Sequence, residues 1–368
     1  MSFATNYTAI INAIDTIDPI AYAKTRNYTN GAVTFLSPYL SRGVISTRMV
    51  AESLYQKGYK TYQIEKLLQE LAWRDYYQQV WLALNNQIFE DIKQPQQDCN
   101  HYEIPAALLN ASTGISALDN AITDFYETGY LHNHVRMYIA SIACNIGKAH
   151  WLSPSRWMYY YLLDGDLASN SLSWQWVAGT FSAKKYYCNQ ENLNKYCHTN
   201  QTNTFLDFSY DLLIQNETPP VLTVQNTFNP VTNLPHTPLP TINNQLPVLL
   251  YNSYNLDPNW RKEENCNRIL LLEPSHFKQY PVSNTVIAFI LALSKNIPGI
   301  QVYCGEVEDL ASLGALQFIS RRHPAFIHYP GAKDEPMALF PAVTGYHNSF
   351  FSYWKKCENF LTSTGFKE

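Results

Sequence analysis

The chain reads as a mostly helical N-terminal domain followed by a smaller α/β domain with a largely parallel sheet, and three observations predict this. From Thr8 to about Tyr196, apolar residues recur at spacings of three and four, the period of one helix face. Residues 218–256 then carry no Asp, Glu, Lys or Arg and are rich in Pro, Asn and Thr, so they suit an extended strap or linker rather than a helix. Beyond them, short β-prone runs alternate with helical ones, the pattern of strands joined by crossover helices.

In the first part the periodicity predicts helices over Ile64–Leu84, Ala117–Tyr126 and Val135–Ile146. Ser46 and Ser116 stand where N-caps belong, each just ahead of a periodic run. In the last part Val248–Tyr251, Arg268–Leu272, Ile300–Tyr303 and Ala325–His328 read as strands, with helices at Asn284–Ser294 and Leu310–Ser320. The aromatic run Ser349–Trp354 reads as a docking helix. The expected division is 1–215 for the helical domain, 216–246 for the linker and 247–368 for the α/β domain.

Composition bounds the function. With 46% apolar and 15% charged residues among 368, the chain is a well-cored globular protein. Its longest apolar run, Val286–Leu293, is too short to span a bilayer, and no leader pattern is present, so a cytoplasmic protein without membrane contact is expected. The seven cysteines are scattered without a C-x-x-C pair, which predicts reduced thiols and no metal site. No G-x-G-x-x-G or Walker A loop supports a dinucleotide or triphosphate site. Residues 1–217 hold 15 Lys+Arg against 19 Asp+Glu, and the rest holds 11 of each, a balance that disfavours strong nonspecific binding to duplex DNA.

Several segments mix residues that a plain core avoids. Leu163-Asp164-Gly165-Asp166-Leu167-Ala168-Ser169-Asn170, followed by Trp174-Gln175-Trp176, sets two acids, a carboxamide and two indoles close together. Glu70, Trp73, Arg74 and Tyr77 fall at i, i+3, i+4 and i+7, on one helix face. Asn133, Arg136 and Met137 share another, in Thr128-Gly129-Tyr130-Leu131-His132-Asn133-His134-Val135-Arg136-Met137. Leu36-Ser37-Pro38-Tyr39-Leu40, preceded by Val33-Thr34, places hydroxyls before a proline-started helix. Taken singly, each also reads as caps, ion pairs or core aromatics.

In this order and spacing the four blocks resemble the FAD-binding helical domain of the photolyase/cryptochrome family, over roughly Tyr22 to Tyr196. The resemblance implies FAD as cofactor. It assigns phosphate contacts to Tyr22, Thr34, Leu36 and Ser37, one hydroxyl fewer than the family's usual Thr-Ser because Val33 precedes Thr34. It assigns the FAD pyrophosphate to the Arg74 fork. Asn133 and Arg136 approach the flavin, Arg136 pairs with Asp164, Asp166 accepts the flavin N3–H, and Asn170 faces N5. Glu70, Trp73, Asn133, Met137 and Trp176 line the cavity for a flipped pyrimidine dimer. Met137 and Asn133 match the class I dimer enzymes, while His134 stands where those often carry Arg. His132 and His134 read more simply as partly exposed helix histidines. Trp174 and Trp151 match the proximal and middle members of the electron-transfer chain. No Trp lies between Trp81 and Trp151 for the distal member, so either a residue such as Tyr102 or Trp157 substitutes or the electron-transfer chain is short.

The resemblance therefore implies a deoxyribodipyrimidine photo-lyase-like enzyme, a carbon–carbon lyase that repairs cyclobutane pyrimidine dimers in DNA with light and reduced FAD. Its partner is damaged DNA, and a monomer is expected. The second reading is a cryptochrome-like blue-light or redox sensor that repairs nothing. A third is a thermal flavin enzyme using the same pocket. Family members begin with an α/β antenna domain, which is expected to be missing here, and the role of residues 247–368 is not legible from sequence.

Overall fold

The computed structural model describes residues 3–363. The chain packs as two units, each discontinuous in sequence. One holds Asp18–Val33 and Ala83–Asn229; the other holds Thr34–Leu82 with residues 3–17 and 230–363. These bounds differ from the division expected at the proline-rich stretch, because packing joins Thr34–Leu82 to the C-terminal part.

The first unit is helical. Its helices include Pro19–Thr25, Ser116–Thr128, Asn133–Ser141, Leu152–Tyr161, Leu167–Ala178 and Gln190–Cys197. Local chemistry sets their ends. Asp18 accepts from the N–H groups of Ile20 and Ala21 ahead of a proline at the first position. Gly179 closes Leu167–Ala178 with φ +84°, a conformation that glycine adopts without strain. The expected Val135–Ile146 helix is instead the α-helix Asn133–Ser141 running into a π-turn at Ile142–Ile146. Ser116 is not a cap: Ile115 holds that position, and Asp119 takes the N–H groups of Thr113 and Gly114. Trp151, Trp157 and Trp174 sit in one apolar core with Ile139, Ile142 and Leu162. Strands β1 (Ile104–Pro105) and β2 (Gln225–Asn226) pair antiparallel, so the start of the proline-rich stretch lies against this unit.

The second unit carries an all-parallel sheet of β3 (Val248–Tyr251), β4 (Asn267–Leu272), β5 (Ile300–Cys304), β6 (Phe318–Arg321) and β7 (Ala332–Asp334), ordered β5-β4-β3-β6-β7. β3 is buried at every position, as a sheet covered on both faces demands. Three of the four expected strands form. Ala325–His328 is instead part of a 3-10 turn, Pro324–Phe326, with its neighbours, and Phe318–Arg321 makes the strand. The helix expected at Leu310–Ser320 is the shorter Val307–Ser312. A short apolar run cannot by itself distinguish strand from helix, and pairing to β3 decides here. Asn284–Ser294 forms as expected, capped by Ser283.

The later proline-rich residues are a bonded strap rather than a loose linker. Thr232 exchanges two hydrogen bonds with Val282, Thr237 accepts from the Cys304 N–H, and Thr241 exchanges two with Gln301. Uncharged Thr and Asn side chains satisfy backbone groups that no ladder reaches. Residues 34–82 dock through Arg42, which is 1% exposed, donates to Ser253 O and lies over the Tyr254 ring. Gly43 permits this approach: at φ +63°, an added Cβ would stand 2.3 Å from Tyr254 O.

Candidate functional site

In the first unit the Asn133–Ser141 helix and the turn before Leu167–Ala178 bring the expected flavin residues together. Arg136 Nη2 donates to Asp164 Oδ1 and Oδ2 at 3.1 and 2.9 Å, and its Nε donates to Leu131 O at 2.8 Å. The Asp164 side chain is only 7% exposed, so the pair is fixed and largely out of water. Tyr130 lies beside both; burial pushes its hydroxyl up to about 12. Asp166 caps its helix by accepting the Ser169 N–H at 2.7 Å. One turn on, Asn170 Nδ2 donates to Ser155 O at 2.9 Å. Ser169 Oγ, between them in sequence, is buried without a partner in the fold.

His132 corrects an expectation, whereas His134 is a partly exposed helix histidine as expected. His132 is a buried N-cap whose Nδ1 accepts the His134 N–H, and desolvation lowers its pKa to about 4. His134 is half-buried and stacks on Tyr196 with centroids 4.6 Å apart; burial lowers its pKa too. Asn133 is exposed and Met137 half-buried. Trp176 is 37% exposed and tilts toward Tyr186. Tyr22 lies half-buried on the Pro19–Thr25 helix.

Trp174 and Trp151 are both buried, and Trp151 Nε1 donates to Asp91 Oδ1 at 2.7 Å. Trp157 is fully buried against Tyr126, so it offers no route to solvent. Tyr102 is 65% exposed and stacks on His150 at 4.8 Å, and His150 lies 5.7 Å from the Trp151 ring. Asp91, which orients Trp151, had no signal in the sequence.

The other expected residues belong to the second unit. Glu70, Trp73 and Arg74 lie half-buried on the Thr61–Leu84 helix. The Trp73 indole carries Phe350 flat upon it, with centroids 3.8 Å apart and planes 9° apart. Arg74 lines a cavity with Asp75, whose carboxylate accepts from the Thr47 hydroxyl and from the Leu339 N–H. Thr34 Oγ1 accepts from Leu36 N–H at 3.4 Å, and the Ser37–Ser41 helix has Leu36 at its N-cap without a side-chain bond. Thr34 and Ser37 are thus not the helix caps their position suggests.

Residues 67–206 match the family model described as the FAD binding domain of DNA photolyase. Over these residues the chain is similar to the FAD-binding domain of DNA photolyases. The chain is 32% identical over 151 residues to a deoxyribodipyrimidine photo-lyase of Streptomyces griseus, covering 40% of this chain and 32% of that protein. It is 30% identical over 181 residues to a cryptochrome DASH of Danio rerio, covering 45% and 33%. The chain thus spans about a third of the length of these relatives. A Synechocystis cryptochrome structure superposes with TM-score 0.49 at 23% identity, over 53% of this chain and 44% of that one.

The residues of the first unit fit the cofactor. A flavin ring edge needs paired donors and acceptors, and the Arg136–Asp164 pair, the Asp166 carboxylate, the Asn170 amide and the unpartnered Ser169 hydroxyl offer them from adjoining turns. Among the described residues, no helix is long and apolar enough to cross a membrane.

Proposed function

We propose that the protein is a DNA photolyase that splits cyclobutane pyrimidine dimers in a light-dependent reaction. The observation that carries this reading is the fixed Arg136–Asp164 pair within a segment matching the photolyase FAD-binding model. When bound, FAD supplies light absorption and the electron that opens the dimer. Arg136 and Asp164 hold the ring edge in one orientation, and Asp166 presents an acceptor whose position its cap bond fixes. Asn170 presents an amide oriented by its bond to Ser155. In the first unit Tyr22 contacts the phosphates, and Asn133 bonds the edge of a flipped base with Met137 and Trp176 as walls. Trp174 and Trp151 deliver electrons from the surface, with Tyr102 as outer donor.

A second reading, a cryptochrome-like sensor, is favoured by one observation: the indole meant for a flipped base already bears Phe350. The deciding experiment incubates chemically reduced, FAD-loaded protein with a dimer-containing oligonucleotide, in blue light and in the dark. Light-dependent restoration of the pyrimidines is the expected result. Bound, reduced flavin without restoration overturns repair and advances the sensor.

A further inference from the structure

The sheet order β5-β4-β3-β6-β7 reverses direction at β3: the chain moves outward through β4 and β5, then returns to the other side of β3 with β6. In open parallel sheets the strand ends at such a reversal splay apart, and ligands bind in the crevice beyond their carboxyl ends. Here that crevice is a cavity of about 170 Å³. Tyr254, Asn255 and Asp257 line it from the segment after β3, with Arg321 from the end of β6 and His323 just beyond. Arg74 and Asp75 line it from the Thr61–Leu84 helix.

Its polar groups are incompletely used. Asn255 is 2% exposed; its Oδ1 accepts from Arg321 Nη1, but its Nδ2 has no partner in the fold. Outside the lining, Asn252 Nδ2 and Ser320 Oγ, at the ends of β3 and β6, are also buried and unpartnered. Three such groups at adjoining strand ends are unusual, since each buried donor without an acceptor costs about 1–3 kcal/mol. We propose that the carboxyl ends of β3 and β6 bind a small carboxylate, whose oxygens accept from Asn255 Nδ2 and lie beside Arg321.

Charge and size agree. The three lining guanidinium groups, Arg74, Arg321 and Arg322, face three carboxyls. Asp257 is held by Arg321 at 2.8 Å and Glu335 by Arg322 at 2.7 Å. Burial pushes the Asp75 carboxyl up to about 6, so the lining becomes more positive as Asp75 takes a proton. A cavity of roughly 150 Å³ admits a molecule of benzene size, so the ligand has a handful of heavy atoms. The spare group at Asn255 is a donor, which selects an acceptor and disfavours a cation.

The test titrates the FAD-loaded full chain with sodium acetate and sodium malonate by calorimetry, against sodium chloride at matched ionic strength. One or both carboxylates bind saturably, and Asn255→Asp, which sets a carboxylate where the amide donor stood, weakens binding at least about tenfold. Absence of saturable binding in the wild type, or wild-type affinity in Asn255→Asp, overturns the proposal. If that variant fails to fold, the wild-type Asn255 side-chain amide resonance must shift on titration with acetate, and an unmoved resonance overturns it. The proposal does not rest on the flavin reading: flavin absorption is recorded throughout, so loss of flavin and loss of carboxylate binding are told apart.

Discussion

Phe350 lies flat on Trp73, with ring centroids 3.8 Å apart and planes 9° apart. The ring is buried and also meets Tyr76 and Tyr353, so it anchors the Phe350–Ser363 helix in an aromatic cluster. Phe350→Ala is expected to cost about 3–5 kcal/mol of stability, read as a shift in the denaturant midpoint. Trp73→Ala is expected to retain flavin but weaken binding of dimer-containing DNA; equal loss of flavin would make Trp73 a core residue instead.

Arg136→Ala leaves Asp164 buried and unpaired, a situation worth about 3–5 kcal/mol of destabilisation. The variant is expected to lose FAD on purification, measured as the ratio of flavin to protein absorbance. Full occupancy would remove the pair from the flavin site.

Asp75 gives a pH signature. Its folded carboxyl titrates near 6, above the unfolded value, because burial penalises the charge. The folded state therefore binds a proton more tightly, and stability from this group falls as pH rises from about 4 to about 6. Asp75→Asn is expected to remove that slope, a difference of up to about 3 kcal/mol between the two proteins across the window. Parallel stability–pH curves would show that Asp75 titrates normally.

Tyr102→Phe keeps the stack on His150 but removes the phenol proton needed for easy oxidation. Light-driven flavin reduction with external reductant is expected to slow severalfold. An unchanged rate would send the electron path elsewhere.

Gly43→Ala forces a Cβ to within 2.3 Å of Tyr254 O at a positive φ. A loss of more than about 2 kcal/mol is expected, and a melting temperature within a degree of wild type would show that the loop yields.

Local chemistry was legible from residue order alone. Ser46 caps its helix because a hydroxyl can reach an N–H three residues ahead within its own segment. The buried strand at Val248–Tyr251 and the half-buried one at Ile300–Cys304 announced themselves as apolar runs, and Arg136 and Asp164 were matched by their place in the motif. Other features depended on partners distant in sequence. Ala325–His328 and Phe318–Arg321 are similarly short apolar runs, and only the free edge of β3 selected the second as a strand. Nothing near Trp73 foretells Phe350, which is 277 positions away. The joining of Thr34–Leu82 to the C-terminal sheet turns on Arg42, Gly43 and Asp75 meeting Ser253, Tyr254 and Leu339. Such contacts arise when surfaces fit after helices and strands exist, so hydrophobic period and capping chemistry fix the elements while packing complementarity decides which of them share a core.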